Sequence, residues 1–134
     1  MVSLNDKGDL KNIQVLDWEL TKTGLTGIDV GQFSAEIHLL RRFHPEVCKE
    51  TATALLEHFL REYKRTGDPT VEDMQRASAQ VGAHLVILAG RIPWGEKELT
   101  REVVMEGVQI LVGKTKVIST AENGNDRQLR LPDI

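Results

Sequence analysis

The sequence predicts a mainly α protein with a small β hairpin at its N-terminus. After residue 28, four stretches repeat apolar residues at helical spacing, and before it two short aliphatic runs flank a cluster of turn-forming residues. The 134 residues fit one domain, and a chain of this size buries roughly two thirds of its unfolded surface. We therefore expect one α+β unit over residues 1–114 and a mobile polar tail over residues 115–134, where apolar periodicity ends.

The hairpin is predicted from its turn chemistry. Val2 to Leu4 favours a short strand, and the turn-forming residues from Asn5 to Asp9 include Gly8, which adopts positive φ at little cost. The return strand is expected from Ile13 to Trp18, where aliphatic residues run together. An isolated hairpin is marginally stable in water, so this one needs a surface to pack on.

The first two predicted helices lie between residues 29 and 69. The first is expected at about Val30 to Phe43, with Asp29 as its N-cap and Gln32 completing a capping-box pattern. The second begins at Pro45, a favoured first-turn residue, and is stopped by Gly67 and Pro69. Their expected buried stripes are Val30, Phe33, Ile37 and Leu40 in the first helix, and Cys48, Ala52, Leu55, Phe59 and Tyr63, widened by Leu56 and Leu60, in the second.

Two further helices are predicted beyond residue 70. The third begins after Thr70, with Asp73 three residues later, and its run from Ala83 to Ala89 is apolar on nearly every side, which indicates a central position in the core. The fourth is expected at about Lys97 to Val112. Their stripes are Met74, Ala77, Val81, Leu85 and Leu88, and Val103, Val104, Gly107, Val108 and Leu111.

The main candidate site is a pair of carboxylates at the end of the predicted return strand. Side chains alternate along a strand, so Asp17 and Glu19 project from the same face, on either side of Trp18. Two carboxylates there need solvent, hydrogen bonds or a cation, and Mg²⁺ prefers carboxylate oxygens alongside substrate phosphates. From the residues alone, metal ligands and solvated carboxylates that cap a nearby helix both remain open.

The same stretch resembles a known family. The run from Val15 to Glu19, then Gly24, then Ile28 to Gly31, is similar to the metal-binding segment of the aminoglycoside phosphotransferase and methylthioribose kinase group, and the overall run is closest to the fungal type. The resemblance extends over roughly residues 2–114 and is specific over residues 15–33. It implies a partial C-terminal lobe of a kinase-like fold, in which Asp17 and Glu19 hold Mg²⁺ on ATP and Asp29 supports the catalytic loop.

Other parts of that family's machinery have no counterpart in the sequence. It contains no H-G-D-x-x-x-x-N catalytic loop and no G-x-x-x-x-G-K-[ST] phosphate loop. We therefore expect a truncated ATP-dependent phosphotransferase, inactive in isolation, whose complete family phosphorylates a small-molecule hydroxyl. In the absence of the catalytic loop, Asp29 is expected to act as a helix cap.

A non-catalytic, kinase-like interaction protein is the alternative function. Without the nucleotide-binding lobe and the catalytic loop, apolar surface around the hairpin would be exposed. Such a surface is commonly covered by a second copy of the chain in a homodimer or by another protein partner.

The other polar and reactive residues favour structural roles. None of the four histidines belongs to an H-E-x-x-H motif, and His84, in the most apolar helix, is expected to be a hydrogen-bonded core residue. Cys48 is expected to be a small core residue and Trp18 to pack. Surface or loop packing is favoured over the border of a substrate pocket for five residues, namely Arg41, Arg42, Arg91, Pro93 and Trp94.

Composition argues against several classes of partner. A net charge of −3 and an aromatic content of 4% disfavour nucleic-acid binding. The longest apolar run, Ala83 to Ala89, is too short to cross a membrane. The single cysteine and the lack of a signal-like apolar core near the N-terminus favour the cytoplasm.

Overall fold

The computed structural model describes residues 2–14 and 23–115, and it confirms the mainly helical fold with a two-stranded N-terminal hairpin. The elements in order are β1 (Val2–Leu4), β2 (Leu10–Ile13), α1 (Ile28–Phe43), α2 (Pro45–Gly67), α3 (Val71–Leu88) and α4 (Lys97–Leu111). The acidic stretch with Asp17, Trp18 and Glu19 lies outside the described residues, as does the segment after Thr115.

The hairpin forms as expected, but its second strand lies earlier in the chain than predicted. β1 and β2 pair antiparallel, with Val2 opposite Ile13 and a register irregularity between Ser3 and Leu4. β2 begins at Leu10, three residues earlier than predicted, and ends at Ile13, whereas residues 15–18 of the predicted strand lie outside the described residues. The tightly closed turn accounts for the earlier start, because pairing begins directly after it.

The side chain of Asn5 closes this turn. Its Oδ1 accepts the backbone N–H groups of Lys7 and Asp9 at 2.9 Å each, and its Nδ2 donates to the Asp9 carboxylate at 3.1 Å. Gly8 has a φ of 82°, as the turn prediction required. All four apolar strand residues nevertheless remain exposed, between 59% and 61%, and these are Val2, Leu4, Leu10 and Ile13.

The most extensive helix contacts are α3 with α4, α1 with α3, and α1 with α2, and side chains of α1 also reach α4. The central position predicted for the third helix is confirmed, since Val81, Leu85 and Ala89 are fully buried. Its burial is not all-round, however, because Ile87 is 50% exposed on a side with no covering helix. No helix in the described ranges is both long enough and apolar enough to cross a bilayer.

In three of the predicted stripes one leucine is exposed, while the other members are buried or half-buried as expected. In α1 the fully buried leucine is Leu39, and Leu40 is 37% exposed. In α4, Ile110 is buried and Leu111 is 48% exposed. In α2, the buried residues are Ala52, Leu56 and Leu60, whereas Leu55 is 45% exposed. These helices carry apolar side chains on more than one side, so the positions of the neighbouring helices decide which side is buried.

The helix ends show which local signals determine them. Pro45 occupies the first turn of α2 as predicted, but the left-handed residue that ends this helix is Asp68, with a φ of 42°, and not Gly67. Thr70 caps α3 as predicted, and it forms a reciprocal capping box with Asp73. The prediction of Asp29 as an N-cap was wrong, because Gly27 occupies that position without a side-chain cap.

Candidate functional site

The carboxylates predicted to bind metal cannot be located in this structure. Asp17 and Glu19 lie outside the described residues, while Asp29 is exposed in the first turn of α1. Within residues 2–14 and 23–115, no group of three or more His, Cys, Asp or Glu side chains could hold a metal ion. The described part of the chain therefore supplies no metal centre of its own, and the Mg²⁺ site remains a prediction.

The segment that follows the acidic stretch is fixed against α3. Gly27 has a φ of 96°, and a Cβ atom there would overlap the backbone carbonyl oxygen of Asp73. A Cβ atom on Gly31 would overlap the carbonyl oxygen of Ala77. Glycine at both positions thus permits close contact between the beginning of α1 and the first half of α3.

Arg76 on α3 adds a polar contact to this junction. Its Nη1 donates to the carbonyl oxygen of Thr26 at 3.4 Å and to Asp73 Oδ1 at 2.6 Å. Its Nη2 donates to Glu72 Oε1 at 2.6 Å. The guanidinium therefore connects the chain entering α1 with two carboxylates in the first turn of α3.

A buried polar network joins α1 to α4. His38 Nε2 lies 2.8 Å from Glu106 Oε2, and the two side chains are 4% and 9% exposed. Arg41 Nη2 lies 3.3 Å from the other ring nitrogen, Nδ1. Because guanidinium groups only donate, these partners assign the acceptor role to Nδ1 and place the ring proton on Nε2, facing Glu106.

Arg42 extends this network toward the surface. Its Nη2 lies 2.7 Å from Glu106 Oε1, an ion pair whose angle falls outside hydrogen-bond geometry, and 3.2 Å from Glu102 Oε2. Both nitrogens of His38 are engaged, which leaves no free lone pair for catalysis or metal binding. The network consequently connects α1 to α4, and removal of one partner would leave a buried charge uncompensated.

Sequence reasoning missed this network. Its signal was a basic set on one helix, His38, Arg41 and Arg42, and an acidic pair four residues apart on another, Glu102 and Glu106. The predicted site residues do not include Glu102 or Glu106, and Arg42 is predicted to lie in surface or loop packing. It is instead only 20% exposed and paired with both carboxylates.

The other candidates occupy structural positions. The prediction of His84 as a hydrogen-bonded core residue is confirmed, because its ring is 6% exposed and lies 2.8 Å from Glu36 Oε1. Trp94 stacks on Phe43 with ring centroids 5.8 Å apart, which agrees with loop packing. Cys48 is half-buried and packs at the edge of the core.

A shallow recess on the surface of α2 does not converge on any reactive group. Its lining comes from this one helix, and consists of Glu50, Thr51, Ala54, Leu55 and His58. Since all five residues belong to one helix surface, the recess offers no enclosed position where a substrate would be held between elements.

Comparison with known proteins supplies the relationship that the described geometry alone does not. The chain is 31% identical over 99 residues to the 4-hydroxytryptamine kinase of Psilocybe cubensis, and 32% identical over 101 residues to that of Psilocybe cyanescens. The chain is related to small-molecule kinases. The matched residues make up 74% and 75% of this chain.

The relationship covers a limited part of those kinases. The match spans 26% and 27% of their lengths, so the chain corresponds to about a quarter of each relative. No protein-family model matches the sequence. No solved structure matches it either. The relationship is thus to one region of a kinase-like phosphotransferase.

Proposed function

We propose that this chain forms the helical region next to the metal site of an ATP-dependent small-molecule phosphotransferase of the aminoglycoside phosphotransferase type. The similarity of three quarters of the chain to two small-molecule kinases carries the proposal. The junction at Gly27 and Gly31 supports it, because this junction holds the chain that leaves the acidic stretch against a buried helix.

In this proposal Asp17 and Glu19 bind Mg²⁺, which neutralises charge on the phosphates of ATP. Phosphoryl transfer depends mainly on positioning and charge neutralisation, so two well-placed carboxylates are a substantial part of such a site. Asp29 would support the site from the first turn of α1. Because Mg²⁺ takes few protein ligands and relies on substrate phosphates, the two carboxylates without a nucleotide cradle should bind it weakly.

The proposed acceptor is the hydroxyl group of a small molecule. The names of the two relatives make 4-hydroxytryptamine the first compound to test. We expect the isolated 134-residue chain to show no ATP-dependent phosphorylation of it, because the catalytic-loop motif is absent from the sequence. Turnover by the purified chain that is lost on Asp17→Asn would contradict this expectation.

A chimeric kinase tests the proposed role directly. Residues 2–115 would replace the matching region of the Psilocybe cubensis kinase, and phosphate transfer from ATP to 4-hydroxytryptamine would be measured. We expect activity in the chimera, its loss on Asp17→Asn or Glu19→Gln, and its retention on Asp6→Asn, a control in the exposed hairpin turn. A folded, monodisperse chimera without activity would overturn the proposal.

The exposed hairpin favours a second candidate, a non-catalytic interaction protein. Four apolar side chains on two short strands remain 59–61% exposed, and neither strand has a further strand beside it in the described sheet. Exposed apolar strand edges tend to pair with other chains. Self-association through this surface, measured by sedimentation velocity, distinguishes this candidate from the kinase proposal.

A further inference from the structure

The buried ring of His38 has a charged partner on each of its two nitrogens. Its Nε2 lies 2.8 Å from Glu106 Oε2 on α4, and its Nδ1 lies 3.3 Å from Arg41 Nη2 on its own helix. Because a carboxylate only accepts and a guanidinium only donates, the ring carries one proton, on Nε2, and accepts a hydrogen bond at Nδ1. This arrangement of partners therefore requires a neutral imidazole.

A second proton on this ring would enter at the nitrogen that faces Arg41. The new N–H group would then point at another donor, so the hydrogen bond between the two side chains would be lost. The imidazolium would also have the same charge as the guanidinium, and like charges repel more strongly where burial limits screening by water. Contact with Arg41 is thus compatible with only one of the two protonation states of His38.

The charges around the ring lead to the same conclusion. Helix α1 supplies Arg41 and Arg42, and helix α4 supplies Glu102 and Glu106, both of which lie within ion-pair distance of Arg42. With a neutral ring these four charges sum to zero. Protonation of His38 adds one positive charge, and the departure of Arg41 would restore neutrality around the buried carboxylate.

The other two helices bring no further charge to this ring among the described residues. Helix α3 packs on α1 and α4, and its buried histidine, His84, is paired with Glu36 on α1. Helix α2 packs on α1, and its buried residues are all apolar. Its titratable residues at the edge of the core are Cys48 and Tyr63, and neither has a hydrogen bond or ion pair with His38 in the described part of the chain.

We propose that His38 is a proton-dependent switch, which binds Arg41 when its ring is neutral and releases Arg41 when its ring is protonated. One proton passes from solvent to Nδ1, and one hydrogen bond breaks. Nε2 carries a proton in both states, so the contact with Glu106 persists. Histidine is suited to this role because it ordinarily changes its charge near physiological pH. The switch is independent of the proposed kinase function.

Nuclear magnetic resonance of the full, isotope-labelled chain tests this proposal without any substitution. Long-range ¹H–¹⁵N spectra show which ring nitrogen of His38 carries a proton, and nuclear Overhauser cross-peaks report its contacts. At neutral pH we expect a proton on Nε2, none on Nδ1, and cross-peaks from the ring to both Arg41 and Glu106. As acid protonates Nδ1, the cross-peaks to Arg41 should be lost at the same pH, while those to Glu106 remain.

His38→Gln provides a matched variant that cannot take up the second proton. The amide group of glutamine can donate to Glu106 and accept from Arg41, as the neutral imidazole does. Cross-peaks between the glutamine and Arg41 should therefore persist over the whole pH range in which the unchanged chain loses them. Circular dichroism checks that the variant keeps its helix content, and the titration of the unchanged chain decides the question if it does not.

A second histidine–arginine pair in the chain provides an internal comparison. His58 and Arg61 on α2 have the same spacing of three residues and the same contact between Nδ1 and Nη2, but both side chains are exposed. Water competes for their hydrogen bond and screens their charges, so we expect only weak cross-peaks between them at every pH.

Four outcomes would overturn the proposal. The first is a proton on Nδ1 of His38 at neutral pH. The second is a set of cross-peaks to Arg41 that survives protonation of Nδ1. The third is a ring that takes up no second proton before the helices unfold. The fourth is loss of the contact with Arg41 in folded His38→Gln over the same pH range, which would show that another group drives the release.

Discussion

Gly27 determines, at the scale of a single residue, where α1 begins and how it meets α3. Its φ of 96° lies in the left-handed region, and a Cβ atom would overlap the Asp73 carbonyl oxygen. We predict that Gly27→Ala lowers the free energy of unfolding by about 2 kcal/mol or more, from backbone strain and displacement of the junction. Denaturant unfolding of the two proteins measures this loss of stability.

Gly24 provides the matched control for that prediction. A Cβ atom there would meet nothing within 4 Å. Gly24→Ala should therefore change the free energy of unfolding by less than about 0.5 kcal/mol. Equal effects of the two substitutions would show that the close approach of α1 and α3 at Gly27 contributes little to stability.

Leu85 tests the central position of α3. It is fully buried, between neighbours on both sides of the helix. We predict that Leu85→Ala lowers the free energy of unfolding by about 2–5 kcal/mol, since it removes buried methyl groups and leaves a cavity. Ile87→Ala, at a 50% exposed position of the same helix, should cost less than about 1 kcal/mol. A similarly small loss at Leu85 would contradict its place in the core.

At the scale of the element, the capping box of α3 is the clearest local signal. The Thr70 hydroxyl accepts from the Asp73 N–H at 3.1 Å, and the Thr70 N–H and hydroxyl donate to Asp73 Oδ2 at 2.9 and 2.7 Å. We predict that Thr70→Val lowers the free energy of unfolding by about 1 kcal/mol at neutral pH.

The same box makes part of this stability depend on pH. Hydrogen bonds from Thr70, aided by Arg76, lower the pKa of Asp73 in the folded chain. This contribution is complete above the carboxyl pKa of the unfolded chain and is lost as the pH falls through the lower folded-state pKa. The free energy of unfolding, measured from neutral to acidic pH, should therefore fall less in Thr70→Val than in the unchanged chain. An equal fall in both proteins would show that the bonds between Thr70 and Asp73 do not cause this pH dependence.

Local signals explain which elements could be predicted from the sequence. Pro45, the Thr70–Asp73 pair and the Asn5–Asp9 turn act on backbone within a few residues, so their patterns located the corresponding ends and the hairpin. The prediction of Asp29 as the N-cap was wrong because the start of α1 depends on the contact of Gly27 with α3. The residues of α3 that Gly27 contacts lie more than forty positions later in the chain.

Contacts between distant residues explain what was missed. His38 and Glu106 are 68 positions apart, and neither residue indicates its partner without the packing of the helices. The exposure of Leu40 and Leu111 has the same origin, since apolar residues lie on more than one side of α1 and α4 and the neighbouring helices select the buried side. For the candidate site, the resemblance at Asp17 and Glu19 indicated the kinase relationship. Both residues lie outside the described residues, so their predicted role in binding Mg²⁺ stays a prediction.

At the scale of the whole molecule, the hairpin and the helices differ sharply in burial. Among residues 2–14 and 23–115, the core contains fourteen buried apolar residues, and none of them comes from the hairpin. A two-stranded hairpin is marginally stable in water without a packing surface. The hairpin accordingly needs a neighbour that covers its apolar side chains.

We predict that the chain self-associates through the hairpin. Leu4 and Ile13, 59% and 61% exposed, lie on strands whose outer edges have no partner in the described sheet. A twofold dimer is the commonest arrangement for such a surface, because each copy offers the same edge to the other. Sedimentation velocity at micromolar concentration should show a dimer, and Leu4→Thr with Ile13→Thr should shift it to monomer while preserving strand propensity. Leu55→Thr, at a 45% exposed position on α2, should leave the dimer intact. A chain that stays monomeric throughout, with or without residues 116–134, would rule out self-association.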